Sequence, residues 1–436
     1  MAEEEIKQEK CSFCGAIEND NVYLISSPDQ KSFICSNCLR LGYDKLQKVK
    51  AAGEAFSHKN ILTPSKIKKH LDKYIVGQKK AKIVLSTSVY NHNKLLEHYD
   101  NTHKDDVEVE KSNIILCGPS GSGKTYLIKT IAKILNVPYA ICDATTLTES
   151  GYVGADVETI LQKLYMNANQ NVELAERGIV YIDEIDKKAN KGGENMSITR
   201  DVSGEGVQQA LLKIIEGTKV DVPINGKRLH PEAPVVTIDT SKILFIVGGA
   251  FPGIEKIIMK RKNIANRYTL GLKQSSEDRE KLAKDTSIND VIDEVTHEDF
   301  RSYGLIPEFL GRLPVICPLH ELTEEELCEI LTEPKNALIK QYQEMMRYDN
   351  VKLIFDKDAI MAIARKAIKN KTGARGLRTI MEDTLLNIMY TVPDKVQDKS
   401  GTLRITKECI EDGADPILEI KDITVEQKGE IFSEAV

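Results

Sequence analysis

The stretch Gly118-Pro119-Ser120-Gly121-Ser122-Gly123-Lys124-Thr125 determines the fold class, because it matches the pattern G-x4-G-K-[ST] at every fixed position. A short apolar run, 112–117, precedes it, and apolar residues at helical spacing follow it over 127–135. Strand, glycine loop and helix therefore come in the order that a phosphate cradle requires, with backbone N–H groups and a helix N-terminus facing the anion. The stretch predicts a P-loop in which Lys124 reaches the β- and γ-phosphates of ATP and the Thr125 hydroxyl binds Mg²⁺.

A second segment carries the acids that such a site needs. Ile179-Val180-Tyr181-Ile182-Asp183-Glu184 is a buried-type strand that ends in two carboxylates. An Asp-Glu pair by itself is usually a solvated turn, but after a P-loop it predicts that Asp183 holds Mg²⁺ through a water and that Glu184 lies beside the attacking water. The glutamate favours ATP hydrolysis over nucleotide binding alone.

Strand and helix patterns alternate around these two segments. Strands are expected at 138–142 and 243–247, with helices at 157–164 and 207–214. This alternation predicts an α/β P-loop domain, with a parallel sheet that has helices on both faces. From about Glu321 the pattern becomes helical, starting with a capping box at 323–326, and predicts a smaller lid domain with nucleotide in the crevice between the two.

The first forty residues contain two cysteine pairs, each spaced C-x2-C, with twenty residues between them. This spacing places four thiolates around one tetrahedral ion, so we expect a structural Zn²⁺ site in a small treble-clef-like module. Two buried or redox-active pairs are the alternative. The predicted zinc ligands are Cys11, Cys14, Cys35 and Cys38.

Length and composition bound the rest. With 436 residues, the chain exceeds one ordinary core. We expect a zinc module at 1–45, a linker at 46–64, a large P-loop ATPase domain at 65–320, a lid at 321–425 and a tail at 426–436. The acidic N-terminus lacks an apolar signal, and cysteines scattered singly suit a reducing compartment, so a cytoplasmic protein without membrane contact is expected. A formal charge of −6 argues against attraction of the whole surface to nucleic acid. A local basic patch is still compatible with this net charge.

Over nearly its whole length, zinc module included, the chain resembles the ClpX family of AAA+ unfoldases. The resemblance implies a homohexameric ring that unfolds tagged proteins, with or without adaptor proteins, and passes them to the peptidase ClpP. Gly151-Tyr152-Val153-Gly154 is similar to the family's pore-1 loop, and 197–206 to its second pore loop. Arg228-Leu229-His230 replaces the family's Arg-Lys-His, which removes one positive charge that could attract degradation tags. The residues so implied in gripping substrate are Tyr152, Val153, Arg200, Arg228 and His230.

Further resemblances concern the nucleotide site. The segment 303–312 is similar to the family segment that ends in an arginine finger, here Arg312, which acts on the next subunit's ATP. Gly373-Ala374-Arg375-Gly376 resembles the lid's sensor motif, which implies that Arg375 contacts the γ-phosphate. Either arginine, taken alone, is more often part of a surface ion pair. The segment Val76-Gly77-Gln78 resembles the family segment that borders the adenine of ATP. Gly248-Gly249 stands where many AAA+ proteins have a polar sensor residue, so we assign no sensor there.

Leu270-Gly271-Leu272 lies in a long polar insertion and is similar to the family's Ile-Gly-Phe tripeptide, which docks on ClpP. An exposed apolar tip suits partner docking, but leucine in place of phenylalanine loses the ring. We find no peptide-cutting triad in the sequence, so proteolysis would belong to a partner. Two alternatives stay open: a stand-alone AAA+ chaperone without a peptidase, and a nucleic-acid-associated remodelling ATPase whose zinc module reads DNA.

Overall fold

The computed structural model describes residues 10–19, 22–29, 31–43, 62–100, 109–148, 156–190, 204–224, 234–262, 288–397 and 399–422. These residues belong to two compact units, Met1–Asn60 and Ile61–Val436. The predicted pore residues Tyr152, Val153, Arg200, Arg228 and His230 lie outside the described residues, as does Leu270-Gly271-Leu272. The predicted domain boundaries therefore stay predictions, apart from this division.

The strands are β1 Leu24–Ser26, β2 Phe33–Cys35, β3 Ile114–Cys117, β4 Tyr139–Asp143, β5 Ile179–Asp183, β6 Lys219–Pro223, β7 Val235–Asp239, β8 Leu244–Gly249, β9 Val315–Pro318, β10 Val351–Phe355, β11 Lys399–Ile405 and β12 Ile417–Asp422. The α-helices are α1 36–43, α2 Pro64–Leu71, α3 Lys79–Asp100, α4 Lys124–Leu135, α5 Glu158–Asn167, α6 Val172–Glu176, α7 Glu205–Ile215, α8 Ile254–Arg261, α9 Ile288–Val291, α10 His297–Tyr303, α11 Pro307–Gly311, α12 Glu324–Thr332, α13 Leu338–Arg347, α14 Lys357–Lys369, α15 Ala374–Val396 and α16 Lys407–Glu411. Short 3-10 turns lie at Ala144–Thr146, Ile185–Lys188, Thr240–Lys242 and Ile292–Glu294.

The centre of the larger unit is a five-stranded parallel sheet with the order β4-β5-β8-β3-β9. Alternate residues of its strands enter two different apolar cores: Val180 and Phe245 lie in one, whereas Tyr181 and Ile246 lie in the other. Since successive side chains of a strand point to opposite faces, both faces of the sheet are covered. The predicted α/β P-loop domain with helices on both faces is confirmed.

The residues after Glu321 form a third apolar core with its own helices. Helix α12 begins with the expected capping box, in which Thr323 Oγ1 accepts from the Glu326 amide at 3.2 Å and the Glu326 carboxylate accepts from the Thr323 amide at 3.1 Å. A small sheet of order β10-β11-β12 completes this part. The mainly helical lid is confirmed, and it contains this three-stranded sheet as well.

Elsewhere the structure adds a feature that the apolar pattern does not show. β6 and β7 form an antiparallel hairpin in which exposed residues alternate with buried or half-buried ones over the first four positions of each strand, and Val222 and Ile238 are fully buried. Such short strands with polar residues on one face fall below the signal that identifies the buried central strands. Across the described ranges, no helix combines the length and the apolar character that crossing a membrane demands.

Candidate nucleotide site and metal centre

The P-loop joins the carboxyl end of β3 to the start of α4. Gly121 and Gly123 have φ values of +80° and +95°, which the loop needs in order to turn its amides inward and which favour glycine. Lys124, the first residue of α4, is only 7% exposed. Its Nζ donates to the carbonyl oxygens of Gly118 and Pro119 at 2.6 and 2.9 Å, so the ammonium group is held inside the loop.

The charges around Lys124 favour an anionic ligand. Burial lowers the pKa of Lys124, and the carboxylate of Asp183 opposes that effect. The guanidinium of Arg375, at the start of α15, is near enough to lower this pKa further. A phosphate group placed here would neutralise the buried charge of Lys124, which is costly when unpaired, and the exposed guanidinium of Arg375 would add a second positive charge nearby.

Asp183 lies at the carboxyl end of β5 and accepts three hydrogen bonds. Thr125 Oγ1 donates to its Oδ2 at 2.7 Å, while the Tyr181 hydroxyl and the Glu184 amide each donate to its Oδ1 at 3.0 Å. Burial, and then the charge of Asp183, raise the pKa of Tyr181 well above its ordinary value, so its hydroxyl stays a neutral donor. A hydroxyl and a carboxylate held together beside phosphate-binding amides are oxygen ligands of the type that Mg²⁺ prefers, so these residues fit the ion.

Glu184 has an unusual backbone. Its φ and ψ are 58° and 33°, in the left-handed region, where it precedes the 3-10 turn Ile185–Lys188. A non-glycine residue persists in this conformation only when its surroundings hold it, and such residues concentrate at functional sites. The conformation ends β5 at Asp183 and starts the 3-10 turn that follows.

The lid contacts the P-loop directly. The Ala374 amide donates to the Gly121 carbonyl at 3.3 Å, and a Cβ at Gly121 would stand 2.6 Å from the carbonyl oxygen of Thr372. A cavity lies between the two domains. Its lining residues are Pro119, Ser120, Gly121, Ser122, Glu321, Leu322, Leu327, Ile368, Lys371 and Gly373. The crevice expected for nucleotide is therefore present in the structure.

Gln78 connects this crevice to the chain that enters the lid. Its Nε2 donates to the carbonyls of His320 and Ser122 at 2.8 and 3.4 Å, and its Oε1 accepts from the His320 amide at 3.0 Å. Gly77 and Gln78 both have positive φ. Val76-Gly77-Gln78 thus lies beside the P-loop and the hinge to the lid, where a nucleotide base could be bordered.

Arg312 lies at the amino end of the parallel strands, opposite the end that carries the P-loop. It precedes β9, whose Val315 pairs with Ile114 at the amino end of β3, whereas the P-loop follows the carboxyl end of β3. Its guanidinium is half-exposed and pairs with Glu216 at 3.3 Å. Arg312 therefore cannot complete the P-loop of its own chain in this fold, and it faces outward.

The smaller unit gathers the four predicted zinc ligands. The ligand atoms of Cys11, Cys14, Cys35 and Cys38 all lie within 4.8 Å of one another. β1 and β2 pair antiparallel and α1 follows, so one cysteine pair lies in the first turn and the other at the junction of β2 and α1. Hydrogen bonding with Cys14, and then burial, raise the pKa of Cys38 to about 12, so thiols this close ionise together only around a cation. The cluster fits Zn²⁺ with all four positions filled.

Comparisons with known proteins agree with this geometry. Residues 109–316 match the family model described as AAA domain (Cdc48 subfamily), 322–405 match the C-terminal, D2-small domain of ClpB protein, and 9–48 match the ClpX C4-type zinc finger. A relative from Borrelia duttonii (strain Ly), named ATP-dependent Clp protease ATP-binding subunit ClpX, is 49% identical over 406 residues, which cover 93% of this chain and 91% of the relative. The chain belongs to the ClpX family.

Two further relatives carry the same name. One from Treponema denticola is 49% identical over 383 residues, covering 88% of this chain and 90% of the relative. One from Bacteroides thetaiotaomicron is 46% identical over 419 residues, covering 94% and 98%. Family membership and the AAA domain identify the chain as an ATPase that binds nucleotide and zinc.

The structure also shows functional positions that the sequence patterns do not indicate. The Tyr181 hydroxyl supports Asp183, although Tyr181 is one of several apolar-type residues in its strand. A signal was present, because Tyr181 and Asp183 are two residues apart and so share one face of β5. Asn113 offered no such signal, since its partners Arg312 and Phe245 are distant in the sequence.

Proposed function

We propose that this chain is the unfoldase subunit of a Clp protease. Six copies would form a ring, ATP hydrolysis would pull tagged proteins through its pore, and the ring would pass the unfolded chains to the peptidase ClpP. The relatives' shared name, ATP-dependent Clp protease ATP-binding subunit, supports a peptidase partner. The zinc module would recruit substrates or adaptor proteins, since such modules bind proteins as well as nucleic acids.

The observation that carries the proposal is the placement of Arg312 at the amino end of the strands, whereas the P-loop lies at their carboxyl end. An arginine that stabilises transition-state charge must reach a γ-phosphate, and arginine fingers supplied in trans raise kcat by ~10³–10⁵. Arg312 would meet that need in a neighbouring subunit. An interface of this head-to-tail kind repeats around a ring when the rotation closes.

Within one site, the described residues divide the work. Lys124 and the P-loop amides would hold the phosphates, and Arg375 would contact the γ-phosphate from the lid. Mg²⁺, when bound by Thr125 and Asp183, would neutralise charge that develops on the phosphate oxygens. Glu184 would accept a proton from the attacking water.

The lid contacts explain how hydrolysis could move substrate. Nucleotide would enter the crevice that the Ala374–Gly121 and Gln78–His320 hydrogen bonds border, so binding and release would change the angle between large domain and lid. We infer that this motion drives the pore loops, with Tyr152 and Val153 gripping the chain and Arg200, Arg228 and His230 contacting it at other levels. Leu270-Gly271-Leu272 would dock on ClpP.

The test is ATP-dependent loss of fluorescence from a stably folded fluorescent protein that carries one of several degradation tags. Wild type should unfold it, Glu184→Gln should abolish unfolding, and Tyr152→Ala should reduce unfolding while ATP hydrolysis continues. Addition of ClpP should yield peptides, and replacing Leu270 and Leu272 with alanine should lower peptide release but not unfolding.

Intact fluorescence with every tag, despite rapid ATP hydrolysis, would contradict the proposal and favour a remodeller of other assemblies. Unfolding without any stimulation of ClpP would instead favour a stand-alone chaperone.

A further inference from the structure

Asn113 has a buried side-chain amide and connects the strands β3, β8 and β9 at their amino ends, where Arg312 also lies. Only 2% of Asn113 is exposed, and it immediately precedes β3. Its Oδ1 accepts from the Phe245 amide of β8 at 3.2 Å, and its Nδ2 donates to the carbonyl oxygen of Arg312 at 3.0 Å. Its own carbonyl accepts from the Val315 amide of β9 at 3.3 Å.

Arg312 is consequently fixed at three points. Its amide donates to the Phe309 carbonyl at 3.2 Å at the end of α11, its carbonyl is bound by Asn113, and its guanidinium pairs with Glu216. The ion pair is half-exposed, and such pairs contribute little. The hydrogen bond from the buried side-chain amide of Asn113 ties the backbone of Arg312 to the central sheet, and its loss would leave the Arg312 carbonyl without this donor.

We propose that Asn113 is a positioning residue for the arginine finger, holding the backbone from which Arg312 reaches the nucleotide of the neighbouring subunit. The inference rests on the trans role proposed above for Arg312. Displacement of a catalytic group by about 1 Å can cost ~10²-fold in rate. Loss of the Asn113 amide should therefore lower kcat at a site that Asn113 never touches.

The competing explanation is a defect in the same subunit, because β3 also leads into the P-loop. Measuring kcat and KM for ATP partly separates a displaced Arg312 from a defective P-loop. An interaction made only in the transition state lowers kcat and leaves KM for ATP unchanged. Asn113→Ala should lower kcat at least about tenfold, with KM within about twofold of wild type. Asn167→Ala is the matched control, since Asn167 donates to the Tyr139 carbonyl at 2.7 Å on the other edge strand, and it should keep the wild-type kcat.

Mixed rings give the decisive test. Subunits of Asn113→Ala are combined in equal amounts with Glu184→Gln subunits before ring assembly, and ATP hydrolysis is compared with each variant alone. If Asn113 acts through Arg312, the Asn113→Ala subunits keep an intact P-loop and receive an intact finger from Glu184→Gln neighbours. Random placement in a head-to-tail ring makes about one interface in four functional, so activity should rise.

A second mixture, Asn113→Ala with Arg312→Ala, should stay inactive, because both subunits then lack a working finger. A defect in the P-loop of Asn113→Ala predicts the reverse pattern, with the first mixture inactive and the second active, and that result would overturn the proposal. Unchanged kcat in Asn113→Ala would overturn it as well.

The mixture of Arg312→Ala with Glu184→Gln tests the underlying role of Arg312. If this mixture stays inactive, Arg312 does not act on the neighbouring subunit, and the role inferred for Asn113 is wrong as well. If this mixture recovers activity while the mixture of Asn113→Ala with Glu184→Gln does not, only the role inferred for Asn113 is wrong. Should Asn113→Ala fail to form rings by mass measurement, Asn113→Asp replaces it in the same mixtures. That variant keeps an acceptor for the Phe245 amide and loses the donor to Arg312.

Discussion

At the scale of single residues, Gly248 leaves room for the Tyr181 hydroxyl, which donates to Asp183, the proposed Mg²⁺ ligand. Tyr181 is fully buried in β5, and Gly248 lies beside it in β8, two residues beyond Ile246, the strand partner of Tyr181. A Cβ at Gly248 would stand 2.2 Å from the Tyr181 hydroxyl oxygen. Where many AAA+ proteins place a polar sensor, this chain has a glycine that leaves room for the hydroxyl bound to Asp183.

Gly248→Ala should therefore displace Tyr181 from Asp183. Overpacking of this kind typically costs about 1–3 kcal/mol, so we expect a lower melting temperature together with a lower kcat for ATP hydrolysis. Tyr181→Phe, which removes only the hydroxyl, should lower kcat without the steric cost. The double variant should recover part of the lost stability, because the nearest clashing atom is gone; full additivity of the two effects would show that the residues do not interact.

At the scale of elements, helix α3 buries His92 in the larger unit beside the half-buried Lys111. Burial, and then the charge of Lys111, lower the pKa of His92 to about 4, although a backbone hydrogen bond at Lys242 opposes both effects. Lys111 donates to the Thr240 carbonyl at 2.7 Å, and its Nζ lies 4.9 Å from the centre of the Phe245 ring. Burial also lowers the pKa of Lys111 to about 7, so this part of the fold disfavours positive charge on both side chains.

The low pKa of His92 predicts acid sensitivity. Below about pH 6.5 the unfolded chain binds a proton on this side chain that the folded chain does not bind until pH falls to about 4. The free energy of unfolding should then fall by about 2 kcal/mol between pH 7 and pH 5 from this group alone.

Urea unfolding of wild type and His92→Leu at the two pH values would check this, since the variant should lose that part of the pH dependence. His98→Leu on the same helix is the control and should keep it. An equal slope in wild type and His92→Leu would contradict the assignment.

At the scale of the whole molecule, the two units depend on different forces. The larger unit has three extensive apolar cores. In the described residues of the smaller unit, the buried apolar side chains are Cys11 and Cys35 alone, while Phe13, Tyr23 and Leu41 are more than 60% exposed. A unit of this size without an apolar core needs a metal to fold.

Zinc removal should consequently unfold the smaller unit and spare the larger one. Cys38→Ser, or treatment with a chelator, should release zinc and make residues 10–43 sensitive to protease, while the thermal transition of the larger unit stays in place. Cys409→Ser in the lid should retain zinc. Protease resistance of residues 10–43 after complete zinc loss would show that the module folds without the metal.

The sequence alone determined the features whose information is local. The P-loop, the two C-x2-C pairs and the capping box at Thr323 each occupy a few consecutive residues, and hydrophobic periodicity showed the central strands and the lid helices. The roles of the pore, finger and docking residues stay predictions from the family resemblance.

Only the tertiary structure decided which distant residues meet. Asn113 binds Arg312 across 199 positions and Phe245 across 132, and Gln78 binds His320 across 242. The parallel pairing of β3 with β9 puts Arg312, which precedes β9, and the P-loop, which follows β3, at opposite ends of two neighbouring strands. Local patterns specify which residues turn inward, but the pairing of buried polar groups depends on how strands that are far apart in the sequence are arranged, and no single segment contains that information.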